Sequence, residues 1–277
     1  MDSSSLISAD ELNGVLGREK LRVFDVRGTW QTPARALHDD YLAGHIPGAV
    51  FVDWTKQFLD QGQAVGLAPV CDQEAAAADF KSLGVNEGDL CILYDDYSHM
   101  LAGRVWWAMR HWGFENLRVL NGGWSHWKAQ GFPVSTDVPN VPEGSFTPRL
   151  NSGLRVSLNE LQERMAQACH MDARGPVSYA GKPEDPRTGH IPGALHVHFK
   201  ELLDEDTGLF LESDALEKVF DRLAPEWRTR PVIASCGSGY AGTVPMLALS
   251  GLGVDSSLYD GSFSEWKQEP SRPVEQS

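Results

Sequence analysis

The chain of 277 residues contains the same unit twice. Phe24-Asp25-Val26-Arg27 runs on to Gly44-His45-Ile46-Pro47-Gly48-Ala49, and Met171-Asp172-Ala173-Arg174 runs on to Gly189-His190-Ile191-Pro192-Gly193-Ala194. Cys91-Ile92-Leu93-Tyr94-Asp95 is echoed by Val232-Ile233-Ala234-Ser235-Cys236, and Asn121-Gly122-Gly123-Trp124 by Asp260-Gly261-Ser262-Phe263. The landmarks recur in one order at an offset of about 140 residues, too long a period for a solenoid and suited to a duplicated domain. Val138-Pro139-Asn140-Val141-Pro142-Glu143-Gly144 lies between the copies, and its Pro and Gly spacing predicts an extended, exposed linker. The boundaries expected are a first domain over 1–138, a linker over 139–155 and a second domain over 156–277.

Within each copy short apolar runs alternate with helical patterns. Leu21–Val26, Leu90–Tyr94 and Pro231–Ser235 have strand length and near-continuous apolarity. Ser8 with Glu11, and Ser157 with Glu160, have the spacing of a capped helix start. Asp72–Leu83 and Ser213–Leu223 are further helical patterns. The fold class is therefore α/β, with each domain a parallel sheet covered by helices on both faces. Trp106, Trp107, Trp112, Trp124 and Trp127 are expected to be packing residues.

The formal net charge of −14 argues against nucleic acid and anionic membranes as partners. No apolar stretch reaches the length of a membrane span. The stretch through Leu12 lacks a basic n-region and an apolar run, and Cys71, Cys91, Cys169 and Cys236 are too sparse for a disulfide framework. A reducing cytoplasm is the expected compartment.

The sharpest local feature is Cys236-Gly237-Ser238-Gly239-Tyr240-Ala241-Gly242, between a strand-like run and an apolar helical run through Leu252. Ligands bind at the carboxyl ends of strands in such sheets. Glycines let several N–H groups converge, and a helix N-terminus adds positive potential. That setting stabilises an anionic sulfur and makes Cys236 the candidate nucleophile. The other three cysteines lack a glycine loop and are expected to be small core hydrophobes. Asp95 stands at the Cys236 position in the first copy, followed by Tyr97-Ser98-His99-Met100 in place of glycines. The first copy is therefore expected to be non-catalytic and to lack the glycine cradle, so that Asp95→Cys alone creates no second site.

These motifs resemble those of tandem-domain rhodanese-type sulfurtransferases, the thiosulfate/3-mercaptopyruvate group. The carriers are the two Asp-x-Arg…Gly-His-Ile-Pro-Gly-Ala segments, the Cys-Gly-Ser-Gly loop, and Tyr259-Asp260-Gly261 leading to Trp266. The resemblance spans nearly the whole chain. It implies two rhodanese-like domains, each with a five-stranded parallel sheet, and catalysis by the second. It implies a persulfide on Cys236, stabilised by residues Gly237, Ser238, Gly239, Tyr240, Ala241 and Gly242. It also implies that Arg187 and Ser238 bind the donor. The loop departs from the family at Tyr240 and Ala241, where valine and threonine are usual; in a sulfur-relay protein Tyr240 would narrow access for small donors. No second arginine is evident around Ser178-Tyr179-Ala180-Gly181.

Asp25, Arg27, His45, Asp172, Arg174 and His190 recur in the copy without the thiol, which marks them as structural: an ion pair in each domain and a loop-fixing histidine. The expected activity moves a sulfane sulfur from a small anionic donor to cyanide, a small thiol or a protein thiol, without metal or organic cofactor. The uncharged loop favours 3-mercaptopyruvate over the dianion thiosulfate. A Cys-dependent phosphatase would need an arginine where Gly242 stands. A non-catalytic sulfur-relay protein is the remaining alternative.

Overall fold

The computed structural model describes residues 5–31, 33–67 and 69–277. The chain forms two compact units. One runs through Ser152 and takes in Asp206–Leu209, and the other comprises Gly153–Glu205 and Phe210–Ser277.

Each unit is built on a five-stranded sheet of parallel pairs. The first has the order Leu6–Ile7, Leu117–Leu120, Leu90–Tyr94, Leu21–Asp25, Ala49–Phe51. The second has Arg155–Val156, Ser256–Tyr259, Val232–Ser235, Cys169–Asp172, Leu195–His196. In chain order both are 1-5-4-2-3, so the duplication seen in the motifs is a duplication of topology. An antiparallel ribbon of Gly28–Thr29 with Arg35–Ala36 is added in the first unit. Consecutive residues such as Ile92 and Leu93 are both fully buried, so both faces of the sheet are covered. Leu12 and the pair Trp124 and Trp127 bring two helices, Ala9–Val15 and Gly123–Ala129, against Val23 and Ile92 on one face. Leu161, Phe263 and Trp266 do the same for Ile233 and Tyr259 in the second unit. The five tryptophans named above are buried.

The expected helix starts hold. Ser8 and Ser157 each accept from the N–H three residues on, while Glu11 and Glu160 reach back to the cap N–H. The helices Gln73–Ser82, capped by Asp72, and Ser213–Leu223 lie where the periodicity puts them. Two strands are one residue shorter than expected: the first ends at Asp25, before Val26, and the other begins at Val232, after Pro231.

The connection between the copies is extended but not exposed throughout. Phe146 is buried between the rings of Phe80 and Phe114, at 4.7 and 5.1 Å. Gly144 N–H donates to Lys81 O, and Phe146 N–H to Val85 O. One aromatic in a polar stretch is enough to fasten the segment to the first unit as far as Ser152. No helix of the described residues is long and apolar enough to cross a membrane, and residues 1–4 lie outside them.

Candidate active site

Cys236 directly follows the central strand Val232–Ser235, and the loop through Gly242 leads into the helix Thr243–Gly251. In a 1-5-4-2-3 sheet, connections leave the fourth and second strands toward opposite edges, and the crevice between their carboxyl ends is where ligands bind. The residues at those two ends are Cys236 and the Asp172-Ala173-Arg174 segment. The helix is buried from Thr243 to Leu249, so its N-terminal dipole acts with little solvent screening.

Cys236 is 2% exposed. Its sulfur accepts from Gly239 N–H at 3.2 Å and has the Ser262 hydroxyl at 4.0 Å. Among the described residues, the N–H groups of Gly237, Ser238, Ala241 and Gly242 have no protein acceptor. Such open donors, in the loop that follows the sulfur-bearing residue, offer a place for negative charge. Gly239 has φ +79°, a conformation cheap for glycine alone. A Cβ on Gly242 would come to 2.9 Å from Leu258 Cδ1 and 3.2 Å from the Ser235 carbonyl carbon. Both glycines therefore hold the loop in its curl.

The other cysteines differ in the expected way. Burial pushes the Cys71 thiol up to about 12 and the Cys169 thiol up to about 11, and raises Cys91 also. None faces a converging set of amides.

The first copy corrects the expectation that its cradle is missing. Asp95 is 2% exposed, and its carboxylate accepts from the N–H groups of Tyr97, His99, Leu101 and Ala102 at 2.8–3.1 Å. The chain makes the turn without glycine, holding Ser98 at φ +54° and His99 at φ +63°. Burial pushes the Asp95 carboxyl up, and the four N–H donors oppose that shift. The amide cradle is thus kept in the first copy and filled by a side chain of the chain itself.

The repeated Asp, Arg and His residues are structural in both copies. Arg174 is bidentate on Asp172, donates to Gly189 O at 2.7 Å, and lies 4.3 Å over the Phe263 ring. Arg27 repeats this with Asp25, Gly44 O at 2.7 Å and Trp124 at 4.5 Å. His190 and Glu275 exchange backbone bonds as His45 and Ser135 do. Tyr179, in the segment without a second arginine, stacks on His190 at 3.8 Å and donates to Ala194 O; Tyr41 stacks on His45 and donates to Ala49 O.

Arg187 is placed on the C-terminal segment. Nη1 donates to Arg272 O at 2.8 Å and Nη2 to Lys267 O at 2.8 Å, with longer bonds to Pro270 O and Glu269 O. Ser238 is half-buried and does not cap the helix, whose N-cap Gly242 offers no side chain. Tyr240 is 2% exposed, so its phenol is packed away from solvent. Ala241, the next residue of the loop, supplies one of the open N–H groups.

Ser262 is the site residue the sequence reading missed. Its Oγ accepts from Cys236 N–H at 3.1 Å and donates to Tyr259 O at 3.0 Å. Its φ is +51°, and the first copy has Gly123 there with φ +57°. A serine kept where its duplicate is a left-handed glycine costs about 1–2 kcal/mol and is the signal that could have found it.

The description "Rhodanese-like domain" matches residues 8–130 and again 157–269. The SseB protein of Mycobacterium tuberculosis is 33% identical over 97% of this chain and 96% of its own length. The 3-mercaptopyruvate sulfurtransferase of Escherichia coli K12 is 32% identical over 99% of both chains. The crystal structure of SseA from Escherichia coli, described with the rhodanese fold and mechanism of 3-mercaptopyruvate sulfotransferases, superposes with TM-score 0.83 at 30% identity, covering 94% of this chain and 98% of that one. Two profile matches, full-length relatives and a shared fold agree with the paired sheets and the Cys236 loop, and the chain belongs to the tandem-domain rhodanese-like sulfurtransferases.

Proposed function

We propose that Cys236 takes a sulfane sulfur from a small anionic donor and passes it to a thiophilic acceptor. The cluster of open N–H groups at Gly237, Ser238, Ala241 and Gly242 carries this reading. The Cys236 thiolate attacks the outer sulfur of the donor. The bond from that sulfur to the rest of the donor breaks, and its electron pair leaves with sulfite or with the enolate of pyruvate, which then takes a proton. The product Cys236–S–S⁻ places its charge among the loop amides, with Ser238 beside the incoming donor. Cyanide, a small thiol or a protein thiol then attacks the terminal sulfur and regenerates the thiolate. The cycle is ping-pong, needs no cofactor, and suits a reducing cytoplasm.

The loop carries no cation, which favours 3-mercaptopyruvate over thiosulfate, and the Escherichia coli relative bears that name. Anchoring of the donor carboxylate by Arg187 requires the guanidinium to exchange backbone carbonyls for the donor. Steady-state kinetics with both donors on wild type and Arg187→Ala test this. A higher kcat/KM for mercaptopyruvate and a raised KM in the variant are expected. A higher kcat/KM for thiosulfate overturns the donor, and an unchanged variant overturns the anchor. Absence of a persulfide burst from either small donor would favour a sulfur-relay role in place of the enzyme.

A further inference from the structure

Asp95 and Cys236 occupy the same position in two copies of one fold. Each follows the central strand of its sheet, and each main-chain carbonyl accepts from the helix start of the last motif, Trp124 N–H for Asp95 and Phe263 N–H for Cys236. The loops share a left-handed residue three positions on, Ser98 in one and Gly239 in the other. Around Asp95 the amides at +2, +4, +6 and +7 converge on the carboxylate. The amides at +2 and +6 from Cys236, those of Ser238 and Gly242, are open. A carboxylate oxygen and the terminal sulfur of a persulfide stand the same number of bonds from Cβ, and both are anionic acceptors. The S–S bond, about 2.05 Å, makes the persulfide only modestly longer.

We propose that Asp95 is a permanent surrogate for the persulfide, so that the first domain is fixed in the sulfur-loaded state and its cradle is a second, latent persulfide site. All contacts to Asp95 in the cradle come from donors, which is the demand that a persulfide anion makes. The proposal rests on the reading that Cys236 carries a persulfide. It adds that the two cradles are interchangeable: an aspartate at 236 reproduces the loaded second domain, and a cysteine at 95 accepts sulfur. In the latter step a thiolate at 95 attacks inorganic polysulfide, one S–S bond forms as one breaks, and the shortened polysulfide leaves with the electron pair.

Two measurements test this. Cys236→Asp is melted beside sulfur-free and persulfide-loaded wild type. It should melt with the loaded enzyme, above the sulfur-free form by roughly 2–8 °C for each kcal/mol that loading contributes, and should not respond to added thiosulfate. Melting at or below the sulfur-free enzyme overturns the proposal. Independently, Cys236→Ser and the double variant Asp95→Cys/Cys236→Ser are treated with inorganic polysulfide, desalted and weighed by intact mass spectrometry. The double variant should retain one more sulfur atom than the single one, mapped to residue 95. Equal masses overturn the proposal. Wild type weighed in the same series separates the two readings: failure of Cys236 to load sinks the persulfide function, whereas loading of wild type with failure of both variants sinks only the surrogate.

Discussion

Cys236 and Asp95 show how much one side chain decides when the backbone around it is shared. The thiol was legible in the sequence because three glycines and a helix start surround it. The Asp95 cradle was not, because a turn made by Ser98 and His99 at positive φ has no compositional mark. Ser262 was hidden for a related reason: its hydroxyl reaches the site through Cys236, 26 residues away. The carbonyls around Arg187 are more distant still, 80 to 85 residues along the chain. Cys236→Ser is expected to abolish sulfur transfer from every donor, since a hydroxyl forms no persulfide, whereas Cys71→Ser, Cys91→Ser and Cys169→Ser each keep most of the turnover. Transfer assays on the four variants check this. Asp95→Ala strands four buried N–H donors and is expected to cost about 2–4 kcal/mol in urea unfolding, while Cys236 still loads one sulfur by mass spectrometry.

The elements were the most legible level. Both capping boxes, the helices after Asp72 and Glu212, and the central strands lie within a residue or so of their patterns, because period, cap and breaker agree locally. The segment 139–152 departs because Phe146 has no periodic partner in sequence, and only the folded first unit supplies the Phe80 and Phe114 rings. The second capping box gives a prediction with a pH signature. The N–H and hydroxyl of Ser157 hold the Glu160 carboxyl below its ordinary range. A carboxyl lowered in the folded state contributes stability above its unfolded value and loses it as pH falls through the folded one. Ser157→Ala is therefore expected to cost about 1 kcal/mol near neutral pH, and the gap to wild type should narrow toward about pH 3. Urea unfolding of both proteins across that range checks the sign.

At the scale of the whole molecule, the net charge of −14 opposes every anionic donor and the more highly charged one most. Raising ionic strength from about 10 to about 150 mM shortens the Debye length from roughly 30 to 8 Å and should raise kcat/KM for thiosulfate several-fold, with a smaller rise for mercaptopyruvate. Rates for both donors measured across a salt series check this, and equal slopes would show that the surface field does not discriminate. The duplication was read from four motifs, and the 1-5-4-2-3 order of each sheet became visible only in three dimensions, since strands of two residues such as Leu6–Ile7 and Arg155–Val156 carry no pattern. That order has a kinetic consequence. Leu6 pairs with Val119 and Arg155 with Leu258, so the opening strand of each domain finds its neighbour only after about a hundred further residues have been made. Neither sheet can close early on a nascent chain. Such non-local pairing places each domain among slow folders of high contact order, with the first able to close before the second has been synthesised.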